Sequence, residues 1–227
     1  MMRKRIALFT LVLIGIFLSF VGMEKLYAKT YPNPMPQGGE VAFVSGIQLD
    51  LEKRFATIAQ AEAAGYFRYT NEDDTGSISY ANLAWTSHDA TQPSQLWYDV
   101  HGNLLGADFS VPYTKGMRPK LWGVNPERWD HFPKHVHYVL RDDHGSTMYH
   151  GISIKKFLAA GGNETAPVAA TLVKMGLAKD ADDVARVFVF PNIWDLMVWI
   201  KPNPAGAFAD KNPLVKPSAN AEKGDGM

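Results

Sequence analysis

The chain of 227 residues carries 23 lysines and arginines against 23 aspartates and glutamates, and it contains no cysteine. The missing cysteines exclude disulfides, zinc–thiolate sites, thiol catalysis and lipid attachment at a cysteine. Charge is balanced and no basic run follows the first residues, which argues against nucleic acid as a partner.

The first 28 residues have the pattern of a secretory signal peptide. A basic start at residues 3–5 precedes an uncharged apolar run at 6–22, and Ala28 offers a small residue before a cleavage point. The alternative is that the segment is retained as an N-terminal anchor. Leu26 favours an anchor because it is larger than the residue usual before a cleavage point, whereas the apolar run is short for a segment that spans a bilayer. We therefore expect an exported protein, periplasmic or extracellular, that meets a membrane only through an uncleaved N-terminal segment.

Composition divides the rest of the chain into three parts. Residues 29–39 are rich in proline and glycine and predict a linker. Residues 40–215 carry the hydrophobic patterning of a single domain, which is long enough to bury a sizeable core. The polar segment 216–227 lacks periodicity and predicts a disordered tail.

The start of the domain predicts a strand followed by a helix. Residues 40–48 alternate weakly between apolar and polar side chains, which indicates a strand. Asp50 can cap a helix over residues 51–64, and Gly65 is placed to end it.

The middle of the domain predicts two β-hairpins, at residues 97–111 and 139–154. Each reads strand, Asp-x-His-Gly, strand, and the glycine supplies the positive φ that the turn needs. Further strands are predicted at 78–86, 95–100, 186–190 and 193–200, and short helices at 154–160 and 165–175. Hairpins without regular βαβ alternation predict an α+β fold: a largely antiparallel sheet with a few short inserted helices, in a single domain.

Five of the seven histidines fall within residues 130–151. His135 and His137 lie two apart in a predicted strand, so their side chains share one face. Two imidazoles side by side on a rigid strand are a plausible half of a metal site.

His150 lies on the return strand, and the turn decides whether it joins the other two. A two-residue loop pairs His150 with Val139 and places all three imidazoles on one face. A three-residue loop pairs His150 with Tyr138 and turns it to the other face, because a shift of one residue flips every side chain.

Asp130 and His131 precede the strand and are candidates for a further ligand or for an acceptor of an imidazole N–H. A converging set would bind zinc, copper, iron or manganese, among which nitrogen ligands alone do not choose. The His-x-His pattern also resembles the first part of the cupin metal motif. The glutamate that the cupin motif places a few residues later is replaced here by Arg141, Asp142 and Asp143.

A structural role is the alternative for the histidines. His-x-His in a strand also arises when imidazoles pack among aromatic side chains and bond one ring nitrogen to a carbonyl. Phe132, Tyr138 and Tyr149 supply such a neighbourhood. Most motif matches without structural context are false, so this alternative weighs heavily.

Asp195 stands inside the apolar segment 193–200. If buried, it is a candidate general base with a raised pKa. The period of two favours the other interpretation, in which Asp195 faces outward with Met197 and Trp199 while the alternate residues face the core.

The sequence therefore predicts an exported binding domain that holds a divalent transition metal or a small ligand. The proposed site residues are His135, His137 and His150, supported by His131 and Asp130. The first alternative is a non-catalytic envelope protein that acts through an envelope partner or as a homo-oligomer. A metal-dependent hydrolase or oxygenase is the weaker third hypothesis, so the balance is against an enzyme.

Overall fold

A computed structural model describes residues 33–142 and 144–222. The helices of this part are α1 (Gly39–Arg54), α2 (Ile58–Ala63), α3 (Ile154–Ala159) and α4 (Ala169–Lys174). Its strands are β1 (Phe67–Arg68), β2 (Ile78–Ala81), β3 (Gln95–Tyr98), β4 (Leu104–Pro112), β5 (Asp130–Phe132), β6 (His135–Arg141), β7 (Thr147–Ser153), β8 (Val184–Phe190) and β9 (Ile193–Trp199). The predicted signal peptide or anchor, and the linker up to residue 32, lie outside the described residues.

The strands form two sheets. A six-stranded sheet has the order β1-β2-β3-β4-β9-β5, and a three-stranded sheet has the order β7-β6-β8. Every pairing between these strands is antiparallel. The chain passes between the sheets twice, from β5 to β6 and from β8 to β9. The predicted α+β class with largely antiparallel strands is confirmed.

Three hydrophobic clusters stack the elements in layers. On one face of the six-stranded sheet, Phe43 and Leu51 of α1 share a core with Phe109 and Leu196. The other face meets the three-stranded sheet through a cluster of buried side chains: Tyr69, Ala81, Phe190 and Ile193. Beyond the three-stranded sheet, α3 and α4 pack against β6 and β8 through the cluster of Val136, Tyr138, Phe157, Leu172 and Ala178. The space between the two sheets is therefore interior.

The strand predicted at residues 40–48 is wrong, because this segment belongs to α1. The buried side chains of α1 recur at helical spacing: Glu40, Phe43, Val44, Ile47 and Leu51. Asp50 is not a cap, since it lies within α1 and pairs with Arg54 one turn later. A capping box between Thr57 and Gln60 begins α2 instead.

Other local predictions hold with shifted ends. The two hairpins are β3–β4 and β6–β7, and their glycines, Gly102 and Gly145, both have a φ of 80°. Gly65, with a φ of 92°, follows α2 as predicted. Thr165 does not cap α4, which begins at Ala169; its hydroxyl bonds to Asn163 instead.

The end of the described chain lies against the turn at residues 72–77. The main-chain N–H of Ser218 donates to the Glu72 carboxylate at 2.7 Å. The N–H of Glu222 donates to the Glu72 carbonyl at 2.8 Å. These contacts involve the first part of the segment predicted as a disordered tail, and residues 223–227 lie outside the described chain. The domain limits 40–215 stay a prediction.

Candidate functional site

The predicted histidine strand is β6, the central strand of the three-stranded sheet. Its register with β8 sets His135 opposite Phe190 and His137 opposite Phe188. His135 and His137 share one face, as predicted, and that face is turned toward the six-stranded sheet. His137 is 4% exposed, whereas His135 is half-buried.

Aromatic rings enclose the two imidazoles. Phe188 stacks on His137 with ring centroids 5.5 Å apart, and Phe190 stacks on His135 at 5.2 Å. Tyr69, which follows β1, meets His137 edge-on at 4.8 Å. The aromatic neighbourhood that the structural alternative requires is present, although different aromatic residues supply it.

The two rings face each other through their Nε2 atoms, which are 2.9 Å apart. The Nδ1 atom of His135 lies 2.8 Å from the carbonyl oxygen of Pro133. A carbonyl only accepts, so this Nδ1 carries the proton of the ring. A hydrogen bond with the main chain of His150 acts to raise the pKa of His137.

The tautomer of His135 follows from its main-chain bond. With its Nδ1 protonated, His135 presents the lone pair of its Nε2 to the Nε2 of His137. Burial lowers the pKa of His135. Burial and then the neighbouring His135 lower the pKa of His137 to about 3. Both rings are therefore neutral near pH 7, and their Nε2 atoms lie at hydrogen-bond distance, with the lone pair of His135 as the acceptor when His137 carries its proton on Nε2.

His150 does not join the pair, because the three-residue alternative for the loop is the one observed. Tyr138 is the register partner of His150, and the two rings stack at 5.1 Å on the opposite face of the sheet. The Asp142 carboxylate accepts from the N–H groups of His144 and Ser146, which closes the loop at this length. The expected convergence of three histidines is corrected to a pair.

His131 and Asp130 also lie apart from the pair. His131 stacks on Tyr113 at 4.0 Å, and its Nε2 lies 2.7 Å from Asn192 Oδ1. It thus ties β5 to the crossing from β8 to β9. Asp130 lies in the other sheet, opposite Asp195. Within residues 33–142 and 144–222, no three His, Asp or Glu side chains come together as a metal-binding group.

A second polar group, Asp195 and Asp108, lies on the face of the six-stranded sheet that is turned to the histidines. The sequence analysis considered the first of these residues and missed the second. Asp195 is 3% exposed, so its predicted outward position is wrong: a second layer covers that face. Burial raises the pKa of Asp195 to about 6, and the bond from Ser110 acts in the opposite direction. Asp108, which was not predicted, is also buried, and burial followed by the charge of Asp195 raises its pKa well above the ordinary value.

The signal that could have identified Asp108 was present in the sequence. Asp108 stands between Ala107 and Phe109 in an apolar strand, which is the same context that singled out Asp195. A carboxylate in such a strand is either at an exposed face or buried with special partners.

Comparison with known proteins adds no assignment: no family model, no curated protein and no solved structure matches the chain. Among the described helices, none combines the length and the apolar character that crossing a bilayer requires.

Proposed function

We propose that this protein is an exported binding domain whose His135–His137 pair holds one divalent transition-metal ion through the two Nε2 atoms. The observation that carries the proposal is the pair of Nε2 atoms 2.9 Å apart, with the Nδ1 of His135 committed to the Pro133 carbonyl. Donation of the other ring N–H to a carbonyl is the usual arrangement of histidines that bind metals, because it fixes tautomer and ring orientation. A cation bound to both Nε2 atoms would hold the His137 ring in its Nδ1-protonated tautomer and replace the contact between the two nitrogens by two metal–nitrogen bonds.

The separation of the nitrogens favours one class of metal. With metal–nitrogen bonds of about 2.0–2.1 Å, a spacing of 2.9 Å subtends about 90° at the metal. A tetrahedral ion would spread the same nitrogens to about 3.3–3.4 Å. Tetragonal copper(II) or nickel(II) therefore fits better than zinc, and copper(II) is the tighter binder of the two. Water or a small external ligand would fill the remaining positions.

Metal titration of protein purified without an affinity tag tests the proposal. Calorimetry should give one copper(II) per chain and weaker binding of zinc. His137→Phe keeps a ring in the aromatic layer and should abolish binding, as should His135→Ala at the half-buried position. His150→Ala is the matched control in the same hairpin and should bind like wild type. Absence of copper binding by the folded wild-type protein, or unchanged binding by His137→Phe, would refute the proposal.

A second candidate is association through the exposed face of α1. Val41 is 51% exposed and Leu49 is 74% exposed on the solvent side of α1. Exposed apolar side chains on one helix suit contact with a partner or a second copy. Light scattering tests self-association: a dimer that Leu49→Lys converts to a monomer supports it, and a monomeric wild type counts against it.

A further inference from the structure

Three aspartates lie on the inner face of the six-stranded sheet: Asp130, which is half-buried opposite Asp195, and the fully buried Asp108 and Asp195. Ser110 of β4 is the register partner of Asp195 of β9, and Asp108 precedes Ser110 by two residues on the same strand. The side chains of Ser110, Asp108 and Asp195 therefore share one face. Asp108 is diagonal to Asp195 and close enough for the charge of Asp195 to act on it. This carboxylate site belongs to the opposite sheet from the histidine pair.

Hydrogen bonds hold most of the carboxylate site in place. The Trp97 Nε1–H donates to Asp108 Oδ2 at 2.9 Å. The Ser110 hydroxyl donates to Asp195 Oδ1 at 2.6 Å and contacts the Ser94 hydroxyl at 2.6 Å. Gly106 makes the first bond feasible, because a Cβ at this position would overlap the Trp97 ring.

One oxygen remains without a partner. Asp108 is 5% exposed, and its Oδ1 atom has no hydrogen-bond partner in the described chain. No described lysine or arginine forms an ion pair with Asp108 or Asp195. Buried polar atoms are nearly always satisfied, and buried charges are paired or coordinate a metal. The unsatisfied oxygen beside a second carboxylate therefore calls for a positive partner.

We propose that Asp108 and Asp195 hold one hard divalent cation, of the calcium type, as a site separate from the histidine pair. Two carboxylates would cancel the charge of such an ion. The donors around it are carboxylate and hydroxyl oxygens, which suit calcium or magnesium rather than a transition metal. Asp108 Oδ1 is the oxygen available to bind the ion without breaking a hydrogen bond of the fold.

Thermal unfolding of the full chain, freed of metals with a chelator and measured at pH 7.5, tests the site with calcium as the probe. At a hundredfold excess over Kd, calcium should raise Tm by about 5–10 °C. Asp108→Asn and Asp195→Asn should abolish the rise; either variant suffices if the other does not fold. Glu164→Gln changes a half-exposed carboxylate that pairs with Lys134, and it should leave the rise intact.

Further arms separate this proposal from its competitors. His137→Phe should keep the calcium-induced rise in Tm. The calcium proposal therefore stands or fails independently of the copper proposal. Sodium chloride at matched ionic strength should not reproduce the rise. If sodium acts equally, or if Asp108→Asn retains the rise, the site is overturned. It is also overturned if calcium leaves Tm unchanged. Stabilisation by acid alone would then show that the carboxylates hold a proton.

Discussion

At the scale of single residues, His137 shows what the sequence discloses and what it does not. The spacing of His135 and His137 was enough to place both on one face of a strand. The rings that enclose them, Phe188 and Phe190, come from a strand about fifty residues later, and no local pattern pairs β6 with β8. The face of His150 depended on one residue of loop length, which the sequence left open.

Asp195 supplies the pH dependence of stability. Its pKa in the folded protein is raised to about 6 from an ordinary value of 3.8. Below pH 3.8 the Asp195 carboxyl is protonated in both the folded and the unfolded chain, so it costs no stability. As pH rises through about 6, the free energy of unfolding falls by up to about 3 kcal/mol. In cation-free buffer we expect Asp195→Asn to remove this loss, since an amide oxygen still accepts from Ser110.

Urea unfolding of wild type and Asp195→Asn at pH 4, 6 and 8 (set to bracket the titration) checks this expectation. The free energy of unfolding of the variant should rise relative to that of wild type as pH increases, and the two values should be similar at pH 4. Parallel stability curves across that range would show that the Asp195 carboxyl is not the source of the pH dependence.

At the scale of elements, α1 explains the error made with residues 40–48. Weak alternation over nine residues suggested a strand, but the apolar period of the helix runs over 16 residues and prevails. The helix start is also fixed from far away: Glu40 forms a buried ion pair with Arg128 at 2.6 Å. Sequence reasoning had no means of finding a partner 88 residues distant.

Breaking the Glu40–Arg128 pair should be costly. Burial acts to raise the Glu40 pKa, but bonds from Arg128 and from the N–H groups of Asn125 and Gln37 hold it below the ordinary value. Glu40→Gln leaves a buried guanidinium uncompensated, so we expect a loss of about 3 kcal/mol in the free energy of unfolding. Glu164→Gln removes a partner of the more exposed Lys134 and should cost less than about 1 kcal/mol. If denaturant unfolding shows equal losses of unfolding free energy for Glu40→Gln and Glu164→Gln, burial of the Glu40–Arg128 pair adds nothing to stability.

Two glycines should respond in opposite directions to alanine. A Cβ at Gly46 in α1 meets nothing within 4 Å, so Gly46→Ala should stabilise the protein by about 0.5–1 kcal/mol. A Cβ at Gly106 in β4 overlaps the Trp97 ring and approaches the main chain of Val198, so Gly106→Ala should destabilise by more than about 1 kcal/mol. Thermal unfolding of both variants decides the matter; a stabilising Gly106→Ala would contradict the packing of Trp97 against β4.

At the scale of the whole molecule, the class was readable and the topology was not. Hairpins without βαβ alternation were enough to predict antiparallel strands. The sequence also located Pro191 and Asn192 between two strands, but not that these strands, β8 and β9, belong to different sheets. Division into two sheets rests on long-range pairing, and it is this division that buries Asp195 and encloses the histidines.

The tail offers a test of where the folded unit ends. Glu72 is buried, and Ser218 donates to its carboxylate. A chain ending at Val215 should lose about 1–3 kcal/mol, because a buried acceptor is left unsatisfied. A chain ending at Glu222 keeps these contacts and should match the full chain. If both truncated chains unfold with the full-length midpoint, the predicted limit at residue 215 is correct and the tail contacts contribute nothing.

The most direct examination of the central claim is the electron paramagnetic resonance spectrum of tag-free protein loaded with one equivalent of copper(II). Imidazole coordination by His135 and His137 predicts a tetragonal spectrum with coupling to two nitrogens, which is lost in His137→Phe and kept in His150→Ala. A spectrum of copper in water, or a nitrogen pattern that survives in His137→Phe, would contradict it and leave the imidazoles as packing groups of the aromatic layer.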